Sequence, residues 1–291
     1  MKKKRAGYEC LVTAPSFVWL ILLFVIPTIV VFTIVFKPSD PYGGIGSGWT
    51  LETLRSLGNP NYPVIVWRTL WLSVMTTIIC MFLALPTGYY MARADKKWRH
   101  SLLLLIIIPF MTNFLVRIFA WKTLLHPDGL IKKVLVLIGV LSPDATLLYT
   151  SGAVLLVMAY TSLPFAILPI FAAAEKFDFS LVEAARDLGA SSLTAFFRVF
   201  VPGISRAIAT AILVVLIPSL GAYVIPDVVG GPNSEMLGNK IAQRAFSDRN
   251  LPHASGLAAI LTLAVLLPLI ISLIMQSHAE KKRVPILQEE A

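Results

Sequence analysis

Polar residues are scarce within the apolar stretches of this chain, so the few that occur there are the first whose chemistry needs an account. Asn113 and Arg117 follow Pro109 in one stretch, Tyr160, Thr161 and Ser162 precede Pro164 in another, and Tyr223, Asp227 and Glu235 follow Pro218 and Gly221. Carboxylates and aromatic faces attract organic cations by charge and by cation–π interaction, which makes Tyr223, Asp227 and Glu235 a candidate cation-recognising set. Asn113, Arg117, Tyr160 and Ser162 carry amide, guanidinium and hydroxyl groups where polar side chains face a bundle interior or a watery path. Each also has a plainer reading. Acids at the end of an apolar run can simply be solvated, hydroxyls can bond to their own helix, and Arg117 lies near enough to one end to snorkel. No H-E-x-x-H, G-x-S-x-G or G-x-x-x-x-G-K-[ST] pattern occurs, and His100, His126, His253 and His278 are scattered. Nucleophilic, metal and P-loop nucleotide chemistry are therefore not expected of this chain. Cys10 and Cys80 lie too far apart in sequence and setting to indicate a disulfide.

One polar segment stands out from its surroundings, Ser180 to Pro202. Ser180 and Glu183 have the S-x-x-E spacing of a capping box, Glu183 and Asp187 are acids on a short helix, and Gly189 stands where a helix-ending glycine belongs. A second short helix is expected from Ser191 or Ser192 to Pro202, which cannot donate the next backbone bond. Two short helices at an angle, set between apolar runs, form a knob projecting from one face of a bilayer. That knob is either a docking site or a capped connection.

The elements that must position these residues follow from composition. Of 291 residues 57% are hydrophobic and 14% charged, far from the roughly one quarter charged of soluble domains. The expectation is an all-α integral membrane protein with six transmembrane helices. About 20 apolar residues cross a bilayer, which puts the spans at about 11–36, 64–91, 101–121, 148–174, 203–228 and 255–276. Residues 1–10 and 277–291 form the two ends, and the loop 175–202 carries the knob. The stretch Leu130 to Leu141 is too short to cross and carries Lys132 and Lys133, so it is expected to lie at the interface. Residues 50–55 are expected to form a short surface helix, and Arg68 to be an interfacial anchor. The apolar run after Met1 to Arg5 is too long for a signal peptide and reads as a retained anchor. With this arrangement fifteen Lys and Arg fall on the side of both ends and the knob, against eight on the other. The positive-inside rule then makes the ends and the knob cytoplasmic. The net charge of +9 is thereby accounted for by topology, with no nucleic-acid partner. Prolines and hydroxyls at 160–164 predict a locally broken fourth span, and Pro218, Gly221 and Pro226 predict unwinding in the outer half of the fifth.

The pattern Glu183-Ala184-Ala185, Gly189, Val199, Val201, Pro202 resembles the cytoplasmic EAA loop of ABC importer permeases, with Val at two positions where that family usually has Ile and Leu. Ile108 to Arg117 with Trp121, Asp128 to Ile131, Ile217 to Val224, and Gly230-Gly231-Pro232 through Gly238-Asn239 resemble permeases of the spermidine/putrescine type. The resemblance implies a binding-protein-dependent, multi-pass permease of the cell inner membrane forming half of a translocation pathway for a small cationic solute. It implies that Glu183, Ala184, Ala185, Arg186, Asp187, Gly189 and Pro202 couple to the ATPase. The implied partners are two ATP-binding subunits, a second homologous permease, an extracytoplasmic substrate-binding protein and the lipid bilayer. ATP and Mg would sit on the partner ATPase, with no cofactor, metal or catalytic site in this chain. Other readings remain open: a permease for another small solute, an ion-coupled secondary carrier, or a membrane anchor.

Overall fold

The computed structural model describes residues 13–40, 42–266, 270, 271 and 274. The N-terminal segment 1–10, the tail 277–291 and parts of the first and last expected spans lie outside the described residues. In chain order the helices are α1 (Thr13–Ile34), α2 (Glu52–Ser56), α3 (Asn61–Arg93), α4 (Lys96–Met111), α5 (Phe114–Leu125), α6 (Leu130–Leu137) and α7 (Ser151–Glu175). They continue with α8 (Ser180–Asp187), α9 (Ser192–Gly203), α10 (Ser205–Leu220), α11 (Val224–Val229), α12 (Leu237–Ala242) and α13 (Leu251–Leu266). Among the described residues there is no strand, only an isolated bridge between Ser39 and Ile45.

By length and composition α1, α3 and α7 can each cross a bilayer. Two bent pairs, α4 with α5–α6 and α9 with α10, qualify when each pair is taken as one span, and the apolar α13 stands where the sixth span is expected. In α1 the residues Phe17, Trp19 and Phe24 are exposed, as befits an apolar helix with lipid or another chain as its neighbour. The protein is an all-α membrane protein, and its helices form two packing units.

Among the described residues the smaller unit is built on residues 13–40 and 42–64 and on Lys240–Ala264. Its loop is closed by backbone bonds from Gly44 to the Arg249 carbonyl at 2.8 Å and from Thr50 to the Phe36 carbonyl at 2.8 Å. A polar cluster of Ser56, Tyr62, Arg244 and His253 ties α2 and the start of α3 to α13. The expected surface helix at 50–55 is α2, displaced by one or two residues.

The larger unit is built on Ile65–Asn239. Near its knob end α3 and α7 approach so closely that a Cβ on Gly88 would stand 2.7 Å from Ile170 Cγ2 and 3.3 Å from the Phe171 nitrogen. Ala84, Ala166, Ile170, Ala174, Phe200 and Ala211 form a core here, with small residues at the helix contacts. A second core, around Leu72, Ile118, Val154, Val157 and Met236, packs the other end.

Local chemistry departs from the expectations at two spans. The stretch 101–121, expected as one helix, breaks after Met111, and α4 meets the stretch Phe114–Leu137 at 89°. Thr112 Oγ1 donates to the Pro109 carbonyl at 2.7 Å and Asn113 Oδ1 accepts from the Leu115 nitrogen at 2.9 Å, so one residue finishes a helix and the next caps a new one. The expected break at 160–164 does not form: α7 is continuous through Pro164 and Pro169. Thr161 Oγ1 instead donates back to the Val157 and Met158 carbonyls at 2.9 and 3.0 Å, leaving its own helix intact. The expected unwinding of the fifth span does occur, at residues 221–223 between α10 and α11. The stretch 130–141 forms the amphipathic α6, ending at Leu137.

Candidate functional site

The knob is α8 and α9 with the turn between them. Gly189 has φ +89°, a left-handed conformation glycine adopts without penalty, and it ends α8 as its position predicts. The capping box does not form as expected. Asp178 Oδ1 accepts from the Ser180 nitrogen at 3.0 Å and the N-cap position itself is Phe179, because an aspartate two residues upstream closes a tighter local turn. The Ser180 hydroxyl and backbone bonds hold the Asp178 carboxyl below the usual carboxylate range. Ser191 caps α9, its Oγ accepting from the Thr194 nitrogen at 3.2 Å. A π turn over Phe196–Phe200 carries α9 one residue past Pro202 to Gly203, where the chain turns by 77° into α10.

What holds the knob to the bundle is a cluster of rings that sequence reasoning passed over. Tyr89 of α3 meets Phe200, Phe196 and Phe179 edge-on at centroid distances of 4.8, 5.2 and 5.7 Å, and Phe177 joins Phe179 and Phe200. Phe200 and Val182 are buried. The signal was present as five phenylalanines between 177 and 200 in an otherwise polar loop. Arg99, in the basic turn after α3, pairs with Glu175 at 3.0 Å, so that turn and the knob share one end of the unit.

The outward face of the knob mixes charge and exposed leucine. Glu183, Arg186 and Asp187 line a recess of about 480 Å³ with Ala190, Ser191 and Ser192. Ala184 is exposed and Ala185 half-buried between that face and the core. Leu181 is 53% exposed, Leu193 71% and Leu188 89%, which is costly in water unless a partner covers them.

At the other end, the candidate pathway residues separate into two groups. Arg117, Ser162 and Tyr223 line one cavity of about 400 Å³ with Phe110, Phe114 and Phe165. Its aromatic faces already hold a cation, since the Arg117 guanidinium lies 5.0 Å from the centre of the Phe110 ring and 5.9 Å from that of Phe114. Phe110 and Phe165 meet edge-on at 4.9 Å. Arg117 Nε is buried with no hydrogen-bond partner. Asn113 does not line this cavity but caps α5, so it positions Arg117 one turn further on. Tyr160 packs edge-on against Trp121 at 5.3 Å, also outside the cavity lining.

Asp227 and Glu235 line a second recess, of about 360 Å³, with Tyr149, Pro226, Pro232 and Asn239. Arg68 Nη1 donates to the Pro232 and Glu235 carbonyls at 3.2 and 3.4 Å, and Asn239 Nδ2 to the Tyr223 carbonyl at 2.8 Å. Arg68 thus pins the loop that follows α11. Tyr149, with φ +63°, donates its N–H to the Val229 carbonyl and stores backbone strain at the rim of the recess.

Comparison with known proteins agrees with this architecture. A chain of a crystal structure of a bacterial ABC transporter that imports the acidic polysaccharide alginate superposes with a TM-score of 0.74, over 94% of this chain and 96% of that one, at 16% identity. The fold is therefore shared, whatever the cargo. The spermidine/putrescine transport system permease protein PotB of Haemophilus influenzae is 36% identical over 267 residues, 92% of this chain and 93% of that protein. PotB of Escherichia coli K12 is 31% identical over 87% of this chain and 92% of its own length. The family described as binding-protein-dependent transport system inner membrane component matches residues 84–284, the stretch holding the knob and both pathway regions, and this multi-pass inner-membrane chain belongs to it.

Proposed function

We propose that this chain is the permease subunit of an ATP-driven importer and forms half of the path for a small organic cation of the spermidine/putrescine class. The observation that carries the substrate reading is the 36% identity to the spermidine/putrescine permease PotB of Haemophilus influenzae over 92% of this chain. The resemblance to PotB of Escherichia coli K12 supports the same class.

The knob supports the coupling role. The face formed by Glu183, Ala184, Arg186, Asp187 and Leu188 would seat in a cleft of an ATP-binding subunit, with ATP and Mg held there and not in this chain. Gly189 sets the turn, and Pro202 with the π turn sets the bend into α10. A second permease would complete the path, and closure of two ATPase subunits would rock the bundle between its open states. The ends and the knob lie in the cytoplasm on this reading, and Asp227 and Glu235 face the extracytoplasmic binding protein.

The test is co-purification of the tagged chain from native membranes, then ATPase assay with and without spermidine and its binding protein. The expected result is recovery of an ATPase and a second permease, with hydrolysis raised by the loaded binding protein. Assembly indifferent to spermidine keeps the importer and discards the polyamine. Recovery of the chain alone, with uptake that survives ATP depletion, favours an ion-coupled carrier.

A further inference from the structure

Between the end of α3 and the start of α9 runs a groove of about 490 Å³ that meets the knob's outer recess at Arg186 and Ser192 and extends away from it along α3. One end is cationic, with Arg93 and Arg186. The remainder is aromatic and aliphatic, with Phe82, Tyr90 and Phe197 exposed by 77%, 71% and 60%. We propose that this groove binds an anionic phospholipid, its phosphate at Arg93 and one acyl chain along α3.

Three observations select this occupant. First, Arg93 is held in place without being neutralised. Its Nη1 donates to Tyr89 Oη at 2.7 Å and its guanidinium lies 5.5 and 5.7 Å from the Tyr89 and Phe179 ring centres. Among the described residues neither Arg93 nor Arg186 forms an ion pair. Second, the groove runs from Arg93 back to Phe82, three helical turns or about 16 Å, which is about half of a hydrocarbon core. A soluble ATPase can reach the arginines but cannot follow the groove to Phe82, whereas an acyl chain can. Third, Trp98 is 67% exposed and Lys96 and Lys97 stand beside it, the residue types that sit at lipid headgroups. Basic pockets between membrane helices on the cytoplasmic side suit anionic headgroups. The inference rests on the proposed orientation, with the knob in the cytoplasm. A lipid there would brace the joint between α3 and α9, on which the seating of the knob depends.

The test uses the assembled transporter, with its ATPase and second permease, in nanodiscs. A photoreactive phenylalanine analogue in place of Phe82 is expected to capture phosphatidylglycerol in preference to phosphatidylcholine when both are present equally. Arg93→Gln is expected to weaken phosphatidylglycerol binding, read by thermal shift, about fivefold for the lost headgroup charge, with phosphatidylcholine unaffected. Capture of the sister permease at position 82, equal capture of both lipids, or an unchanged phosphatidylglycerol response in Arg93→Gln would each overturn the proposal. Assembly with the ATPase is read separately in the same preparations, so a failure of the permease reading shows as missing subunits and a failure of the lipid site does not. Should Arg93→Gln not fold, the cross-linking result decides alone.

Discussion

Tyr62 Oη lies 2.6 Å from His253 Nε2, and the donors around this pair decide which ring nitrogen carries the proton. The Ser56 hydroxyl donates to the Thr53 carbonyl at 2.7 Å, so its oxygen accepts from His253 Nδ1 at 3.1 Å. Nδ1 is therefore the N–H, and Nε2 accepts from Tyr62. Arg244 Nη2 donates to the same Tyr62 oxygen at 3.4 Å, and Asp248 holds Arg244 at 2.8 Å. A proton added at Nε2 would face a phenol that is already donating to it.

This arrangement makes the smaller unit acid-sensitive. His253 is buried, and its neutral ring is the form that accepts from Tyr62 beside the Arg244 guanidinium. Protonation of Nε2 breaks that bond, so the contribution of the network falls away as pH drops through the usual histidine range. The melting temperature in detergent should therefore decline between about pH 7 and pH 5. His253→Gln should flatten that decline. Tyr62→Phe should cost about 1–2 kcal/mol at neutral pH through the unpaired nitrogen. An equally steep acid decline in the wild-type protein and His253→Gln would show that other groups carry it.

The knob should be separable from membrane insertion. Gly189 has φ +89° with open space around it, so Gly189→Ala meets only the backbone cost of roughly 1 kcal/mol. Gly189→Pro forces the wrong φ, and Glu183→Lys reverses the charge of the docking face. Both are expected to remain in the membrane and to lose the ATPase in pull-down. Normal pull-down by both would remove the coupling role.

The ring cluster should carry the joint. Phe200 is fully buried, so Phe200→Ala should cost about 3–5 kcal/mol and weaken ATPase association with it. Tyr89→Phe keeps the packing and loses the bond to Arg93, about 0.5–1.5 kcal/mol. Thermal unfolding of the two variants should therefore separate widely, and similar losses would mean that the cluster is not the fastening.

The aromatic cavity should set the cargo. Tyr223→Ala removes one ring from the lining, and spermidine uptake should fall about two- to thirtyfold, the range of one cation–π contact. ATPase association should be unchanged. Uptake at the wild-type rate would move recognition away from this cavity.

Much of the architecture was legible because its causes are local. Apolar length identifies α1, α3 and α7 as spans, and Gly189 announces its turn because few other residues tolerate that φ. Pro218 and Gly221 foretell the break before α11 because both disfavour helix wherever they occur. Where two local devices competed, sequence was a poorer guide. Asp178 displaced the Ser180–Glu183 box, and Asn113 opened a new helix inside what reads as one apolar run. At Thr161 a hydroxyl bonding back to its own turn allowed α7 to remain whole beside Pro164.

The sequence by itself determined the membrane class and the presence of a short helical knob ended at Gly189, since hydropathy and turn chemistry act over a few residues. Only the tertiary structure decided which polar groups meet. Tyr223 joins Arg117 and Ser162 while Asp227 joins Glu235, although Tyr223 and Asp227 are one helical turn apart. Tyr89 becomes the hub for rings more than ninety residues away. Such meetings depend on helix crossings and bends, which are set by packing between distant segments.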